Sequence, residues 1–145
     1  MGWASSFLML IGRWLMAAIF LFSAYGKVMN YDGTAAYMTT KGLPMVPLLL
    51  GLSIVIEFLG GLSLVFGYKV RALSILLVLF LIPVTLTMHN FWTMTDPLQM
   101  QDNMYHFFKN LAIMGGLLYV AATGAGYIGC DRCTSGSCRK DIDVK

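Results

Sequence analysis

Four long apolar runs constrain the fold of this 145-residue chain more than any other feature of its sequence. A helix needs roughly 20 apolar residues to cross the hydrocarbon core of a bilayer. The chain is also 58% hydrophobic and only 12% charged, which excludes an ordinary soluble domain. We therefore predict an all-α fold, an integral membrane four-helix bundle in contact with the lipid bilayer, with spans at Ser5–Tyr25, Val46–Gly67, Ala72–Met88 and Phe107–Gly126.

The predicted domain organisation is a four-span transmembrane domain over residues 1–129 and a cysteine-containing tail over residues 130–145. The first run is longer than the core of a secretory signal, and Arg13 interrupts it. No basic residue precedes that run. We therefore expect a retained anchor helix rather than a cleaved signal peptide.

The distribution of lysine and arginine predicts the orientation. Lys69 and Arg71 lie in the short turn between the second and third runs, and the tail adds Arg132, Arg139, Lys140 and Lys145. Positively charged loops stay in the cytoplasm. Both termini are thus predicted to be cytoplasmic, in a multi-pass protein of the bacterial inner membrane. The net charge of +3 follows this topology, and without a basic stripe it predicts no nucleic-acid partner.

Two ionisable residues, Arg13 and Glu57, lie inside apolar runs. Charges in the membrane are costly and are normally paired or functional. Counted from the cytoplasmic side, the two residues lie at similar depths, about 12 and about 15 Å. The sequence therefore predicts an intramembrane ion pair, which either orders two helices or also lines a ligand or proton site.

A second polar group is predicted at the outer membrane surface, where the ends of the runs converge. Histidine exchanges protons near neutral pH, and an aromatic side chain can cover a ring. The group is a candidate quinone or polar pocket, or else ordinary interfacial solvation. Its members are Lys27, His89, Asn90, Trp92, His106, Lys109 and Asn110.

The tail contains all three cysteines, Cys130, Cys133 and Cys138. Three thiols are one short of a closed zinc or iron–sulfur site. The cluster is compatible with an inert or palmitoylated segment, a metal shared with a partner, or thiol redox chemistry. Methionines near the histidines could hold copper, but their spacing fits no standard site, and adaptable packing explains them better. No particular metal is therefore predicted for the cysteine tail.

Several segments together resemble the DoxX family of small four-helix bacterial membrane proteins. After Arg13 they are YGK, GTAAYMTTKGLP, EFLGG, HNFW and HFFKNLAIMGGLL, and the resemblance runs from about Leu8 to about Tyr127. The family is named for subunits of terminal quinol oxidase and thiosulfate:quinone oxidoreductase complexes, so the resemblance implies a link to quinone-dependent complexes. Distant relatives act as membrane adaptors. No catalytic motif carries over, and the cysteine tail departs from the family pattern.

The predicted function is a small membrane subunit of a redox-linked, quinone-associated complex, which supplies anchoring and a quinone or proton site. Its expected partner is a larger membrane complex or further copies of itself. The alternative is a non-catalytic scaffold or assembly factor. A solute carrier is disfavoured because paired broken helices and internal repeats are missing from the sequence.

Overall fold

The structure is a computed structural model that describes residues 3–126 and 128–131. It contains five α-helices and a short 3₁₀ turn at Phe91–Thr93, with no strand among the described residues. The helices are α1 (Trp3–Met29), α2 (Tyr31–Thr40), α3 (Val46–Phe66), α4 (Val70–Met88) and α5 (Pro97–Thr123). The predicted all-α class is confirmed.

Within the described part of the chain, three segments are long and apolar enough to cross a membrane: Ala4–Met29, Val46–Phe66 and Val70–Thr93. They correspond to the first three predicted spans and make this a multi-pass membrane protein. The fourth long helix, α5, has 27 residues. It is less apolar because polar residues continue along its first half, as far as Lys109 and Asn110.

Helix α5 begins ten residues before the predicted start at Phe107. Asp96 caps it, since the Asp96 carboxylate accepts a hydrogen bond from the Gln99 N–H at 3.2 Å, and Pro97 occupies the first turn. Both are standard helix-start signals. Part of the stretch between the third and fourth predicted spans therefore forms the polar first turns of α5.

Small residues let the helices approach closely. A Cβ on Gly60 would lie 2.7 Å from the Leu77 side chain of α4, and a Cβ on Gly61 would lie 2.7 Å from Leu21 of α1. Helices α4 and α5 run antiparallel, joined by a hydrogen bond of 3.1 Å from the Asn110 amide to the Thr85 hydroxyl. Helix α3 thus packs between α1 and α4, and α5 lies along α4.

The two ends of the structure differ. The α2 end contains α2, the last turns of α1 and α4 and the first turns of α3 and α5. The opposite end, here called the turn end, contains the tight connection between α3 and α4. Residues 128–131 dock there: the Asp131 N–H donates to the Gly67 carbonyl at 2.9 Å, and the Asp131 carboxylate accepts from the Lys69 and Val70 N–H groups at 2.5 and 3.1 Å.

Candidate functional site

Arg13 is fully buried at the turn end and does not contact Glu57. Its Nη2 donates to the Ile128 carbonyl at 2.6 Å, and the Asp131 carboxylate supplies an attractive charge nearby. A Cβ on Gly67 would collide with the Arg13 guanidinium, so the glycine that ends α3 also makes room for this charge.

The predicted Arg13–Glu57 pair is therefore wrong, and the helix register explains why. In the antiparallel packing of α1 and α3, Trp14 Nε1 donates to the Val65 carbonyl at 3.2 Å. Arg13 consequently faces the C-terminal end of α3, ten residues beyond Glu57, or about 15 Å along the helix. Similar estimated depths did not place the two residues side by side, because the sequence does not fix this register.

Glu57 is instead paired with Lys27, which was predicted as part of the outer cluster. Lys27 Nζ donates to both Glu57 carboxylate oxygens, at 2.5 and 2.6 Å, and to Ser23 Oγ at 3.0 Å. The Glu57 side chain is 6% exposed and that of Lys27 is 22% exposed. Ser23 and Lys27 are four residues apart on one helix face, a spacing that could have revealed this arrangement in the sequence.

The ion pair lines a cavity of about 700 Å³ at the α2 end. Most of the lining is apolar and comes from α1, α3, α4 and α5, with α2 over the end. Pockets of this size, mostly apolar with a few polar groups, are typical of small-molecule sites. The polar lining residues are Ser23, Lys27, Thr34, Tyr37, Ser53, Glu57, Thr87, His89, Lys109 and Asn110.

Three members of the predicted outer cluster, His89, Lys109 and Asn110, line this same cavity. The Lys109 ammonium lies 2.7 Å from His106 Nδ1. This contact uses one of the three N–H donors of Lys109. His89 Nδ1 lies 3.4 Å from the Asn103 side-chain oxygen. The cavity therefore has a buried carboxylate contributed by α3 and an ammonium contributed by α5.

The other predicted members lie beside the cavity. His106 stacks on His89 with ring centroids 5.1 Å apart and lies 3.7 Å from the Asp102 carboxylate. Trp92 is exposed and packs edge-to-face on Phe107.

Asn90 points elsewhere. Its side-chain oxygen accepts a hydrogen bond from Lys41 at 2.8 Å, in a separate polar cavity that Asp102 and Asn103 also line. Sequence reasoning missed Lys41, Asn103 and Thr85 as partners, because their contacts depend on tertiary packing.

The structure describes only the start of the predicted cysteine tail. Cys130 is exposed, whereas Cys133 and Cys138 lie outside the described residues. Among residues 3–126 and 128–131, no group of three or more His, Cys, Asp or Glu side chains could hold a metal ion.

Comparison with known proteins places the chain in a family. The DoxX family model matches residues 8–90, more than half of the chain. The chain belongs to the DoxX family. This DoxX protein is 34% identical over 131 residues to the inner membrane protein YphA of Escherichia coli strain K12, a match that covers 90% of the chain and 93% of YphA.

Two further relatives extend the comparison. Inner membrane protein YqjF of the same organism is 36% identical over 126 residues, covering 85% of this chain and 88% of YqjF. The ER-derived vesicles protein ERV29 of Saccharomyces cerevisiae is 37% identical over 83 residues, covering 54% of this chain and 25% of ERV29. No solved structure gives a significant match. The DoxX protein is thus a multi-pass inner membrane protein, as predicted.

Proposed function

We propose that this DoxX protein is a quinone-binding subunit of a redox-linked membrane complex. The observation that supports the proposal is the shared cavity. The Glu57–Lys27 ion pair, the Lys109 side chain and the His89 side chain all line one mostly apolar space of about 700 Å³. A quinone has an apolar ring with two carbonyl oxygens, so it suits an apolar cavity with hydrogen-bond donors in its lining. When bound, the quinone supplies the two-electron chemistry, and a partner oxidoreductase supplies the electrons.

The residues of the cavity have distinct roles in this proposal. Lys27 uses its three donor positions on Ser23 and Glu57, so it holds the carboxylate rather than the ligand. Lys109 has donor positions left and is the group that donates to a quinone carbonyl. His89 can form a hydrogen bond beside the ring through its imidazole.

The topology remains part of the proposal. We place α5 across the membrane as a fourth span, because it runs along α4 from the Thr85–Asn110 hydrogen bond to that of Arg71 with the Thr123 carbonyl, at 3.5 Å. Both termini and the turn end then face the cytoplasm, where Lys69 and Arg71 belong. Residues 130–145 then form a cytoplasmic tail.

Purification from native membranes into lipid nanodiscs tests the function. The protein is expected to retain close to one quinone per chain and to bring down an oxidoreductase partner. Ile113 lines the cavity, so Ile113→Trp should remove the quinone while the partner stays bound. Leu111→Trp, on the exposed face of the same helix, is the matched control and should retain both. Retention of the partner with no quinone in any sample would favour the alternative, a non-catalytic scaffold or assembly factor.

A further inference from the structure

The cavity has a side opening between α3 and α4. Leu52 of α3 lies five residues before the buried Glu57, which turns it about 140° around the helix. Pro83 of α4 lies two residues before the buried Thr85, about 160° around that helix. Both residues line the cavity and both are exposed, so they form the two edges of the opening.

The packing of α3 and α4 explains why they separate there. They pack closely where Gly60 meets Leu77, and the tight connection at the turn end also holds them together. Beyond Leu77, toward the α2 end, apolar side chains of the two helices line the cavity on either side. Pro83 also has no N–H with which to continue the helix hydrogen bonds of α4.

Specific contacts close three other sides of the cavity. Helix α2 covers the end, where the Tyr37 hydroxyl donates to the Met88 carbonyl at 3.3 Å and Met38 is buried. The Lys27–Glu57 ion pair closes the seam between α1 and α3, and the Asn110–Thr85 hydrogen bond closes the seam between α4 and α5. An opening between two membrane-spanning helices faces lipid rather than water.

We propose that the ligand enters from the bilayer between Leu52 and Pro83, with its polar head at Glu57 and Lys109 and its apolar tail lying in the opening. This inference rests on the proposed function and adds to it the class of ligand: a lipid-soluble molecule with one flexible hydrocarbon tail. A head group without a tail partitions poorly from water into the bilayer, so it would reach an opening that faces lipid at a much lower concentration.

Photolabelling in nanodiscs tests the opening. The probe is a benzoquinone whose alkyl tail carries a diazirine close to the ring, and peptide mass spectrometry locates the label. The expected label falls at residues 49–56 and 80–87 and disappears with an excess of the untagged tailed quinone. Leu52→Trp should reduce this label at least about tenfold, whereas Leu52→Ala should retain it. Leu59→Trp, at an exposed α3 position outside the cavity lining, is the control and should also retain it.

Two other results would overturn the proposal, and they differ in what they imply. Competable label on α2 or on the connection between α4 and α5 would show entry from the aqueous side and would leave quinone binding intact. Absence of any competable label in the wild-type protein would overturn the opening and the proposed quinone site together.

Discussion

At the scale of single residues, the membrane charges of this protein have separate partners and separate tasks. Glu57 is held by Lys27 within the cavity, and Arg13 is held at the opposite end by the segment that follows α5. Each arrangement offsets part of the cost of burying an ion in the membrane. Only the first places charge beside a space large enough for a ligand.

Breaking the Lys27–Glu57 pair should be more harmful than removing it. Lys27→Met strands a buried carboxylate, and we expect a loss of about 3 to 5 kcal/mol in the free energy of unfolding, while Lys27→Met with Glu57→Leu costs less. Thermal unfolding in a fixed detergent gives the double-mutant cycle. The matched cycle pairs Arg13→Leu with Glu57→Leu and should be additive because the sites are distant. Coupling in the Arg13 cycle and none in the Lys27 cycle would refute the assignment.

Arg13 should anchor residues 128–131 to the turn end. Arg13→Leu removes the hydrogen bond to the Ile128 carbonyl, so the amides of Cys130 and Asp131 should exchange with deuterium at least about tenfold faster. Hydrogen exchange with mass spectrometry measures this. Arg71→Leu is the control, since Arg71 is exposed and its hydrogen bond goes to Thr123. Equal exchange in the wild type and both variants would show that Arg13 does not hold the segment.

At the scale of elements, close packing of α3 on its neighbours sets the register of the site. Gly60 and Gly61 bring α4 and α1 against α3, and this register carries Glu57 to the level of Ser23 and Lys27. The three apolar spans could be predicted from composition because length and hydropathy suffice. Their register could not, because it depends on which small residues meet which side chains.

Gly60→Ala should therefore destabilise the protein, although alanine is the better helix former. Its Cβ would lie 2.7 Å from Leu77, and overpacking of this kind costs about 1 to 3 kcal/mol. Gly51→Ala on the same helix has open space and should be neutral or stabilising by up to about 1 kcal/mol. Chemical denaturation compares the two variants. Leu77→Ala should cost less in the Gly60→Ala background than in the wild type, because the added methyl group occupies part of the space that Leu77 leaves. Equal stabilities of the two alanine variants would contradict this packing.

At the scale of the whole molecule, four helices and α2 bring together residues from distant parts of the chain. The sequence placed His89, Lys109 and Asn110 at one membrane surface because they lie at the ends of apolar runs, and the structure brings them to one cavity. It placed Glu57 with the wrong partner because the register of α1 against α3 could not be predicted. It placed Lys27 at the outer surface because α1 extends to Met29 rather than ending at Tyr25. The cavity itself, formed by side chains of all five helices, had no signature in the sequence.

The central claim is that the cavity lining forms one ligand site. Direct titration tests it, with a benzoquinone bearing a ten-carbon tail and the protein in nanodiscs without any partner. The wild-type protein should bind one quinone per chain at saturation. Lys109→Met removes a charge-assisted hydrogen bond of about 1.5 to 3 kcal/mol, so its Kd should rise at least about tenfold. Leu118→Met, at an exposed α5 position outside the cavity, should leave the Kd unchanged. Non-saturating uptake, or the same Kd for all three proteins, would contradict the account.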